Sequence, residues 1–322
     1  MMGKLLNINK LGIYFELEEG VSKAVDGISL EVGKKETVCL VGESGSGKTL
    51  TALAIMRLIP KPGFIAKGGI IFKGKDLLKV SEEQIRKVRG AKISMVFQEP
   101  FTCLNPVFTI GDQIGESVEL HIGLKGQKKK DRVMEVLKLV GINDGERVYR
   151  AYPHELSGGL RQRVMIAMGL VSDPALLIAD EPTTALDVTI QAQILELLAA
   201  LKKRLSLSIL LITHDLGIVN EIGDKVYVMY SGRIMEKGQK KDIFEQTKHP
   251  YTEGLLKSVP DMGPVRERLY TIPGSIPEPL KVPKGCRFHP RCPYVMDICR
   301  EKEPAETKFN GGHSTWCFRY EK

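Results

Sequence analysis

The chain has 322 residues, of which 43% are hydrophobic and 27% are charged, and its formal net charge is +8. A soluble chain of this length can build one sizeable core and a smaller appendage. No apolar run approaches the roughly 20 residues that cross a bilayer, and the start shows no export signal, so we expect a cytoplasmic protein. The basic residues are scattered, and their one run, Lys128–Lys130, fits a solvated helix face, so the charge is weak evidence for a nucleic-acid or anionic-membrane partner.

The first motif along the chain is a phosphate-binding loop between a strand and a helix. Thr37–Val41 is an apolar strand, and the segment Gly42–Thr49 spells G-x-x-x-x-G-K-[ST]. Its glycines let backbone N–H groups turn toward phosphate oxygens, next to the positive end of the following helix. We expect Lys48 to reach the β- and γ-phosphates and Thr49 to give its hydroxyl to Mg²⁺.

From about residue 37 to 245, strands alternate with helices, a pattern typical of a mainly parallel sheet covered on both faces. At about residues 100–170 the sequence has helical periodicity only, which predicts a helical subdomain inserted into the sheet domain. The residues before and just after the phosphate loop predict a small antiparallel layer. Strands are predicted at 37–41, 93–97, 176–179, 209–213 and 226–229, helices at 111–120, 129–140 and 159–170, and the antiparallel layer at 4–36 and 69–74.

Several polar side chains follow predicted strands directly. Leu176–Ala179 ends in two carboxylates, Asp180 and Glu181, which together with the phosphate loop describe a protein that binds and cuts a nucleoside triphosphate. Gln98 ends another strand, where its amide oxygen can bind Mg²⁺ or the attacking water; taken on its own, it would be an ordinary surface glutamine. His214 ends a third strand, and a lone histidine in such a place can be purely structural.

The segment Leu156–Gln162, the glycine-pair segment, opens a predicted helix with a second pair of glycines. Ser157 is placed to cap the N-terminus of that helix, which is the simple interpretation. The functional interpretation is a second anion site, because exposed N–H groups and the helix dipole favour phosphate. Further along the chain, Asp187 follows Thr183–Leu186 in a tight connection.

Cysteine usage is uneven along the chain. Cys39 and Cys103 fit inert small side chains, whereas the remaining four crowd into the last 40 residues. Disulfides seldom persist in a reducing cytosol, and the composition there changes to Pro, Cys and Lys, which indicates a separate C-terminal module. The four clustered cysteines are Cys286, Cys292, Cys299 and Cys317.

These motifs occur in the order and context of the nucleotide-binding subunit of an ATP-binding cassette (ABC) transporter, which the chain resembles over about residues 5–245. The resemblance implies an α/β fold: a phosphate-loop NTPase (RecA-like) core with an antiparallel β layer, an inserted helical subdomain and a small cysteine-rich C-terminal extension. Three more segments look like the ATPases of bacterial and archaeal dipeptide and oligopeptide importers and extend the resemblance to essentially the whole chain. They are Gln98–Gln113, His249–Thr252 and Ile272–Pro277.

The resemblance implies a head-to-tail dimer in which ATP lies between the phosphate loop of one subunit and Leu156–Gly159 of the other. The partner is a second copy or a paralogous ATPase. Asp180 then positions Mg²⁺ through its hydration shell, and Glu181 accepts the proton of the attacking water. His214 contacts the γ-phosphate and links it to Glu181 and the partner's Asp187.

An aromatic ring stacks on adenine in this family, and we expect Phe15 in that role with Tyr14 as the alternative. Catalytic roles are implied for Glu181, His214 and Gln98, and Mg²⁺ contacts for Thr49, Gln98 and Asp180. The other nucleotide-contacting residues that the resemblance implies are Gly42, Glu43, Ser44, Gly45, Ser46, Gly47, Lys48, Thr49, Leu50, Ser157, Gly158, Gly159 and Asp187.

The implied function is an ATPase that drives a membrane importer for dipeptides or oligopeptides. Residues 1–248 would form the cassette and 249–322 the extension. Two separate transmembrane permease subunits and, indirectly, an extracellular peptide-binding protein are the implied partners, without nucleic acid, and the location is the cytoplasmic face of the cell membrane. The alternatives are a soluble cassette ATPase of translation or DNA repair, or an importer of another solute such as nickel complexes or sugars.

Some members of the peptide-importer group carry an iron–sulfur cluster in this tail, so we expect Cys286, Cys292, Cys299 and Cys317 to hold a [4Fe–4S] cluster. Structural zinc, which generally takes closely spaced cysteines, is an alternative, as are disulfides or unligated thiols. His289 and His313 are expected to be structural. The cluster would serve as a staple for a tail with little apolar sequence, with redox sensing as a lesser alternative.

Overall fold

The computed structural model describes residues 3–98, 103–259 and 270–321. Within them the chain forms two units, one comprising the residues up to 78 and from 212 onward, the other comprising 79–211. Of the segment Gln98–Gln113, residues 99–102 lie outside the described residues.

The secondary structure elements are numbered in chain order. The strands are β1 (Lys4–Leu17), β2 (Gly20–Gly33), β3 (Thr37–Val41), β4 (Gly63–Phe72), β5 (Lys75–Asp76), β6 (Ile93–Val96), β7 (Leu176–Asp180), β8 (Ser208–Thr213), β9 (Lys225–Tyr230), β10 (Arg233–Gln239), β11 (Thr307–Lys308) and β12 (Ser314–Thr315). The helices are α1 (Lys48–Ile55), α2 (Glu82–Arg86), α3 (Ile110–Ile122), α4 (Gly126–Leu139), α5 (Gly145–Arg150), α6 (Gly158–Leu170), α7 (Val188–Leu205), α8 (Leu216–Ile222), α9 (Lys240–Glu245), α10 (Pro250–Lys257) and α11 (Asp297–Glu301). Short 3-10 helices cover Pro153–Glu155, His289–Arg291, Asn310–Gly312 and Phe318–Tyr320.

The first unit contains an antiparallel sheet with the strand order β2-β1-β4-β5. Along β2, burial alternates for much of the strand, as expected when one face of an antiparallel sheet covers a core and the other meets solvent. Leu6, Ile8, Leu11 and Ile13 of β1 are fully buried. The predicted antiparallel layer is therefore confirmed.

The same unit carries the strand that leads into the phosphate loop. All five residues of β3 are buried, and β3 pairs in parallel with β9. A parallel strand covered on both faces reads as a continuous apolar run, which is why the pattern of β3 was recognisable. β10 pairs antiparallel with β9, β12 pairs with β10, and β11 pairs with β12. Two strands of the extension, β11 and β12, are therefore part of the same sheet as β10. The predicted domain boundary between residues 248 and 249 stays a prediction.

The second unit contains the helices predicted for the insertion. α3, α4, α5 and α6 bury a shared apolar core that includes Ile114, Val133, Leu137, Val148 and Ile166. Side chains cap three of these helices, because Thr109, Asp144 and Ser157 accept a backbone N–H of the first turn. In the same unit β6 pairs in parallel with β7, whose five residues are all buried.

The α/β class is confirmed, with the predicted strands and helices found within a few residues of the observed bounds. β8 leads the chain from the second unit back into the first. Among the helices of the described residues, none combines the length and the apolar character needed to span a membrane.

Candidate functional site

The phosphate loop, Gly42–Thr49, joins β3 to α1, and its glycines are required by space and by conformation. A Cβ atom on Gly42 would overlap the carbonyl oxygen of Met229, and one on Gly47 would lie 2.8 Å from Cε of the same methionine. Gly47 also has a φ of 103°, which side-chain-bearing residues rarely adopt. The Ser46 hydroxyl is buried without a hydrogen-bond partner among the described residues, which suits a site that receives an oxygen-rich ligand.

Lys48 is buried, and its ammonium group is held over the loop. Nζ donates to the carbonyl oxygens of Gly42 at 2.7 Å and Glu43 at 3.0 Å. The helix that begins here has no side-chain cap at its N-terminus, so its first N–H groups face the loop as in other anion sites. Of the remaining predicted nucleotide contacts, Ser44, Gly45 and Thr49 are exposed and Leu50 is half-buried.

Two residues of the extension contact the phosphate loop at Glu43, a feature that the sequence did not predict. The Arg291 guanidinium binds the Glu43 carboxylate in a bidentate pair, with Nη1 to Oε2 at 2.7 Å and Nη2 to Oε1 at 3.0 Å. The Tyr251 hydroxyl accepts the backbone N–H of Glu43 at 2.9 Å. The His249–Thr252 segment signalled the family, but nothing in its pattern pointed to the loop.

The aromatic residues expected near adenine have separate surroundings. The Tyr14 hydroxyl donates to Oδ1 of Asp26 at 3.1 Å, and the ammonium of Lys67 lies 5.9 Å from the centre of its ring. The Phe15 ring covers Gly63, where an added Cβ would lie 2.6 Å from Cε1 of the phenylalanine. Both residues are half-buried, and the choice between them as the adenine platform stays a prediction.

Asp26 itself is a charged centre that the sequence did not reveal. It is buried and accepts Lys67 at 2.7 Å, Arg233 at 2.7 Å and Arg287 at 2.8 Å. Burial opposes the charge of this carboxyl, but the three cations together hold its pKa well below the ordinary value. Arg287 belongs to the extension, so this cluster is a second polar tie between the extension and the rest of the first unit.

In the second unit, the structure brings Gln98 and Glu181 together. Nε2 of Gln98 donates to Oε2 of Glu181 at 3.0 Å, and the Thr184 hydroxyl donates to the same oxygen at 3.0 Å. Glu181 has a φ of 46°, a left-handed conformation that is costly for a residue with a side chain and recurs at functional sites. Asp180, the last residue of β7, is buried.

The glycine-pair segment opens α6 as predicted. Ser157 is exposed, and its Oγ accepts the N–H of Leu160 at 3.4 Å, so the capping interpretation holds for this structure. A Cβ on Gly159 would lie 2.9 Å from Cγ2 of Ile190. The glycine therefore permits a close approach between the start of α6 and the start of α7, which Asp187 caps by accepting the N–H of Ile190 at 2.9 Å.

His214 lies in the first unit, directly after β8, and is exposed. The next residue, Asp215, caps α8 by accepting the N–H of Gly217 at 2.7 Å. The chain thus turns sharply from strand to helix at this histidine. The catalytic role of His214 stays a prediction.

The four clustered cysteines are free thiols in one region of the extension, with Cys299 and Cys317 buried and Cys286 and Cys292 half-buried. Burial raises the pKa of the Cys286 thiol to about 12, and the other three thiols act in the same direction. Within the described ranges, no group of three or more His, Cys, Asp or Glu side chains is arranged to hold a metal ion. The structure therefore does not support the expected [4Fe–4S] cluster or its zinc alternative.

The two histidines expected to be structural make hydrogen bonds within the protein. Nδ1 of His289 lies 3.0 Å from the carbonyl oxygen of Cys286, and Nε2 of His313 lies 2.8 Å from Oε1 of Glu236. Glu236 is fully buried and also accepts the N–H groups of Lys248 at 2.6 Å and His249 at 3.0 Å. This carboxylate fixes the start of α10.

A phosphate loop that opens a helix, a buried strand that ends in Asp-Glu and a second helix start with paired glycines are the defining parts of an ABC cassette. The chain matches the ABC transporter family over residues 25–184 and the family described as oligopeptide/dipeptide transporter, C-terminal region, over residues 235–299. The chain belongs to the ABC transporter ATP-binding proteins of the oligopeptide/dipeptide type, and the resemblance stated from the sequence is confirmed.

Individual relatives support this assignment over the whole length. The chain is 49% identical to the oligopeptide transport ATP-binding protein AppD of Bacillus subtilis, over 100% of this chain and 98% of that protein. It is also 49% identical to the probable peptide ABC transporter ATP-binding protein y4tR of Sinorhizobium fredii, over 98% of this chain and 95% of that protein.

Solved structures resemble the cassette portion. The dimeric post-hydrolysis state of the ATP-binding cassette MJ0796, bound to ADP and Pi, is 25% identical with a TM-score of 0.66, covering 73% of this chain and 98% of that chain. The structure of cbiO1 from Clostridium perfringens, part of the ABC transporter complex cbiONQ, is 29% identical with a TM-score of 0.65, covering 76% of this chain and 91% of that chain.

Proposed function

We propose that this chain is the ATP-hydrolysing motor subunit of a membrane importer for dipeptides or oligopeptides. The observation that carries the proposal is that a nucleotide-binding loop and a peptide-transporter-type extension are parts of one unit, joined at Glu43 by Arg291 and Tyr251. ATP-binding proteins of peptide transport match it over 98% and 95% of their own length. A fold alone does not define a function, but the site and the extension together favour this one.

ATP binding is assigned to the phosphate loop and the start of α1. Backbone N–H groups of the loop and of the first turn of α1 contact the phosphates, with the buried Ser46 hydroxyl as a further group able to contact an oxygen. Lys48 exchanges its carbonyl partners for the β- and γ-phosphates. Phe15, or alternatively Tyr14, stacks on adenine.

Hydrolysis is assigned to the catalytic and Mg²⁺-contacting residues named from the resemblance, which act on the γ-phosphate. Mg²⁺, when bound, neutralises charge on the β- and γ-phosphates, and the Thr49 hydroxyl, the Gln98 amide oxygen and the Asp180 carboxylate are oxygen groups of the kind that it takes. Glu181 accepts the proton of a water whose oxygen attacks the γ-phosphorus, while the bond to ADP breaks. His214 contacts the γ-phosphate and stabilises its charge.

The active form that we propose is a head-to-tail dimer, made with a second copy or a paralogous ATPase. Ser157, Gly158 and Gly159 of one subunit face the ATP held by the other, with the partner's Asp187 at the same interface. Support comes from the similarity to cassettes solved as dimers. Ser157 is exposed at the start of a helix, where a hydroxyl can serve an external phosphate.

The partners follow from the same proposal. Two separate permease subunits provide the membrane passage, and an extracellular peptide-binding protein delivers the solute to them. The chain works as a peripheral subunit at the cytoplasmic face of the membrane. Nucleic acid has no role in this scheme.

A native-membrane pull-down followed by a coupled activity measurement tests the proposal. The tagged chain should co-purify with identified permease subunits, and in liposomes the complex should hydrolyse ATP faster when a peptide-loaded binding protein is added. A matched complex with Glu181→Gln should show no stimulation. Co-purification with ribosomal or DNA-repair proteins instead, or stimulation by a sugar or nickel complex but not by peptides, would favour one of the alternatives.

The [4Fe–4S] cluster stays a separate proposal, whose support is the proximity of Cys286, Cys292, Cys299 and Cys317 in the extension. Protein prepared without oxygen and with ample iron should be brown, with broad absorbance that is lost when any one of the four becomes Ser. Colourless anaerobic protein with stoichiometric zinc, or with no metal, would rule the cluster out.

A further inference from the structure

Glu43, the second residue of the phosphate loop, is held by the extension from two directions. Its carboxylate forms the bidentate pair with Arg291, and its backbone N–H donates to the Tyr251 hydroxyl at 2.9 Å. The side chain of Arg291 is only 4% exposed, whereas that of Glu43 is 32% exposed. A bidentate pair with a buried arginine is geometrically specific, unlike an ordinary surface ion pair.

Arg291 is itself fixed within the extension. Its Nε donates to the carbonyl oxygen of Pro273 at 2.9 Å, and Nη2 donates to that of Ile272 at 3.2 Å. Burial opposes its charge, but the Glu43 carboxylate and the neighbouring Tyr230 hydroxyl hold its pKa above the ordinary value. The guanidinium is therefore a permanently charged group at a set position.

Tyr251 is a similarly fixed partner. It is fully buried, and its ring packs edge-on against Tyr230 with 4.7 Å between ring centres and at a tilt against Phe288 with 5.3 Å between ring centres. Burial, with the Glu43 carboxylate beside it, raises the pKa of the phenol far above its ordinary value. The hydroxyl stays neutral at physiological pH, so it remains an acceptor that does not repel the triphosphate.

The residue held in this way also holds Lys48, the lysine of the phosphate loop. The carbonyl oxygen of Glu43 accepts Nζ of Lys48 at 3.0 Å and the N–H of Ser46 at 3.2 Å. All the polar groups of Glu43 therefore have partners. The extension binds its backbone N–H and its carboxylate, and the phosphate loop binds its carbonyl oxygen. A shift of Glu43 moves both Lys48 and the N–H groups that meet the phosphates.

We propose that Arg291 and Tyr251 are positioning residues for ATP binding, which fix the phosphate loop through Glu43 and neutralise its carboxylate. The proposal rests on the proposed nucleotide function. Two physical effects are combined: a glycine-rich loop is preorganised, so less ordering is needed on binding, and a carboxylate next to a triphosphate is paired, so it does not repel the ligand.

The main test measures Kd for ATP and the steady-state constants for Arg291→Met, Arg291→Lys and the wild type. The loop holds the phosphates in the ground state and the transition state alike. Removal of the Arg291 guanidinium should therefore raise Kd and KM by roughly tenfold or more, with a smaller change in kcat. Arg291→Lys keeps the charge but cannot form the bidentate pair, so its Kd for ATP should lie between those of the wild type and Arg291→Met. In a double-mutant cycle, Glu43→Gln should cost little once Arg291 is Met.

The matched control is Lys237→Met. Lys237 forms an ion pair with Glu306 at 2.6 Å, which also ties the extension to β10 but touches no residue of the phosphate loop. This substitution should alter stability without altering Kd for ATP.

The milder variant Tyr251→Phe removes one oxygen atom, and should raise Kd for ATP and speed the hydrogen exchange of the Glu43 amide.

An unchanged Kd for ATP in both Arg291→Met and Tyr251→Phe overturns the proposal, as does an equal loss in Lys237→Met. If Arg291→Met does not fold, Tyr251→Phe and the exchange rate of the Glu43 amide decide the question. Failure of the proposed function can be distinguished from failure of this proposal. In that case the wild type would not bind ATP, or would bind it without hydrolysing it. Hydrogen exchange of the Glu43 amide would still show whether the variants hold the loop less firmly than the wild type does.

Discussion

His249 gives the extension a pH dependence that can be worked out from the structure. The side chain is fully buried, and its Nδ1 accepts the N–H of Tyr251 at 3.0 Å at the start of α10. Burial lowers the pKa of this histidine from 6.5 to about 4, although the nearby Glu236 carboxylate acts in the opposite direction. The folded protein therefore keeps His249 neutral over a range in which the unfolded chain protonates it.

The sign follows from linkage. Above pH 6.5, His249 is neutral in both the folded and the unfolded state, and its full contribution to the free energy of unfolding is present. As the pH is lowered from 6.5 to about 4, only the unfolded chain takes up the proton, so the free energy of unfolding decreases. Each pH unit in this window costs about 1.4 kcal/mol, which amounts to about 3 kcal/mol in all. Glu236 and Asp26 have lowered pKa values, so their contributions are lost mainly at more acidic pH.

The change that isolates this effect is His249→Asn, because asparagine can still cap the helix but does not titrate. Unfolding by urea can be followed through the single tryptophan, Trp316, whose backbone N–H donates to the carbonyl oxygen of Met235 beside the same segment. We expect the variant to lose about 3 kcal/mol less than the wild type across the window. His289→Asn, at a half-buried site of the extension, serves as the matched control for replacing a histidine by asparagine. Equal slopes for wild type and His249→Asn would refute the reasoning.

Three further predictions concern the nucleotide site. Glu181→Gln keeps the shape of the side chain but cannot take a proton, so turnover should fall by roughly a hundredfold or more while ATP binding is retained and the ATP-bound dimer lives longer; multiple-turnover hydrolysis near the wild-type rate would exclude Glu181 as the base. Ser157→Arg should lose turnover without losing nucleotide affinity of the monomer, measured by equilibrium binding, and an equal loss of monomer binding would contradict the head-to-tail dimer. Gly47→Ala places a Cβ 2.9 Å from the carbonyl oxygen of Ala24 at a φ of +103° and should lose ATP binding. Gly74→Ala, which has a positive φ but open space around it, should cost stability only, so weakened binding there as well would mean that the Gly47 effect is not local.

The phosphate loop and the strands around it could be predicted because local pattern decides them. A buried parallel strand is a continuous apolar run, as in Thr37–Val41, and the predicted range agrees with β3. The helices at 111–120, 129–140 and 159–170 also appear, beginning one to three residues earlier than predicted. Their early starts follow from caps such as Thr109 and Ser157, which mark the helix N-termini more accurately than hydrophobic periodicity does.

The ties between the extension and the loop could not be predicted, because they join residues far apart in sequence. Arg291 contacts Glu43 across a separation of 248 residues, and no periodicity distinguishes a buried arginine from a solvated one. The burial of Glu236 could not be predicted from the sequence either, because a charged residue in a strand is usually exposed. Only the fold shows that His313 and the N–H groups of Lys248 and His249 satisfy its charge.

The contact between Glu43 and Arg291 restricts how this protein can change over evolutionary time. A cation at position 43 would face a buried guanidinium, and a small residue would leave that guanidinium without its counter-charge, so either change alone costs several kcal/mol. Substitution at one position is expected to be tolerated only with a matching change at the other. An extension taken from another cassette will therefore support this phosphate loop only if it brings an arginine to the same place.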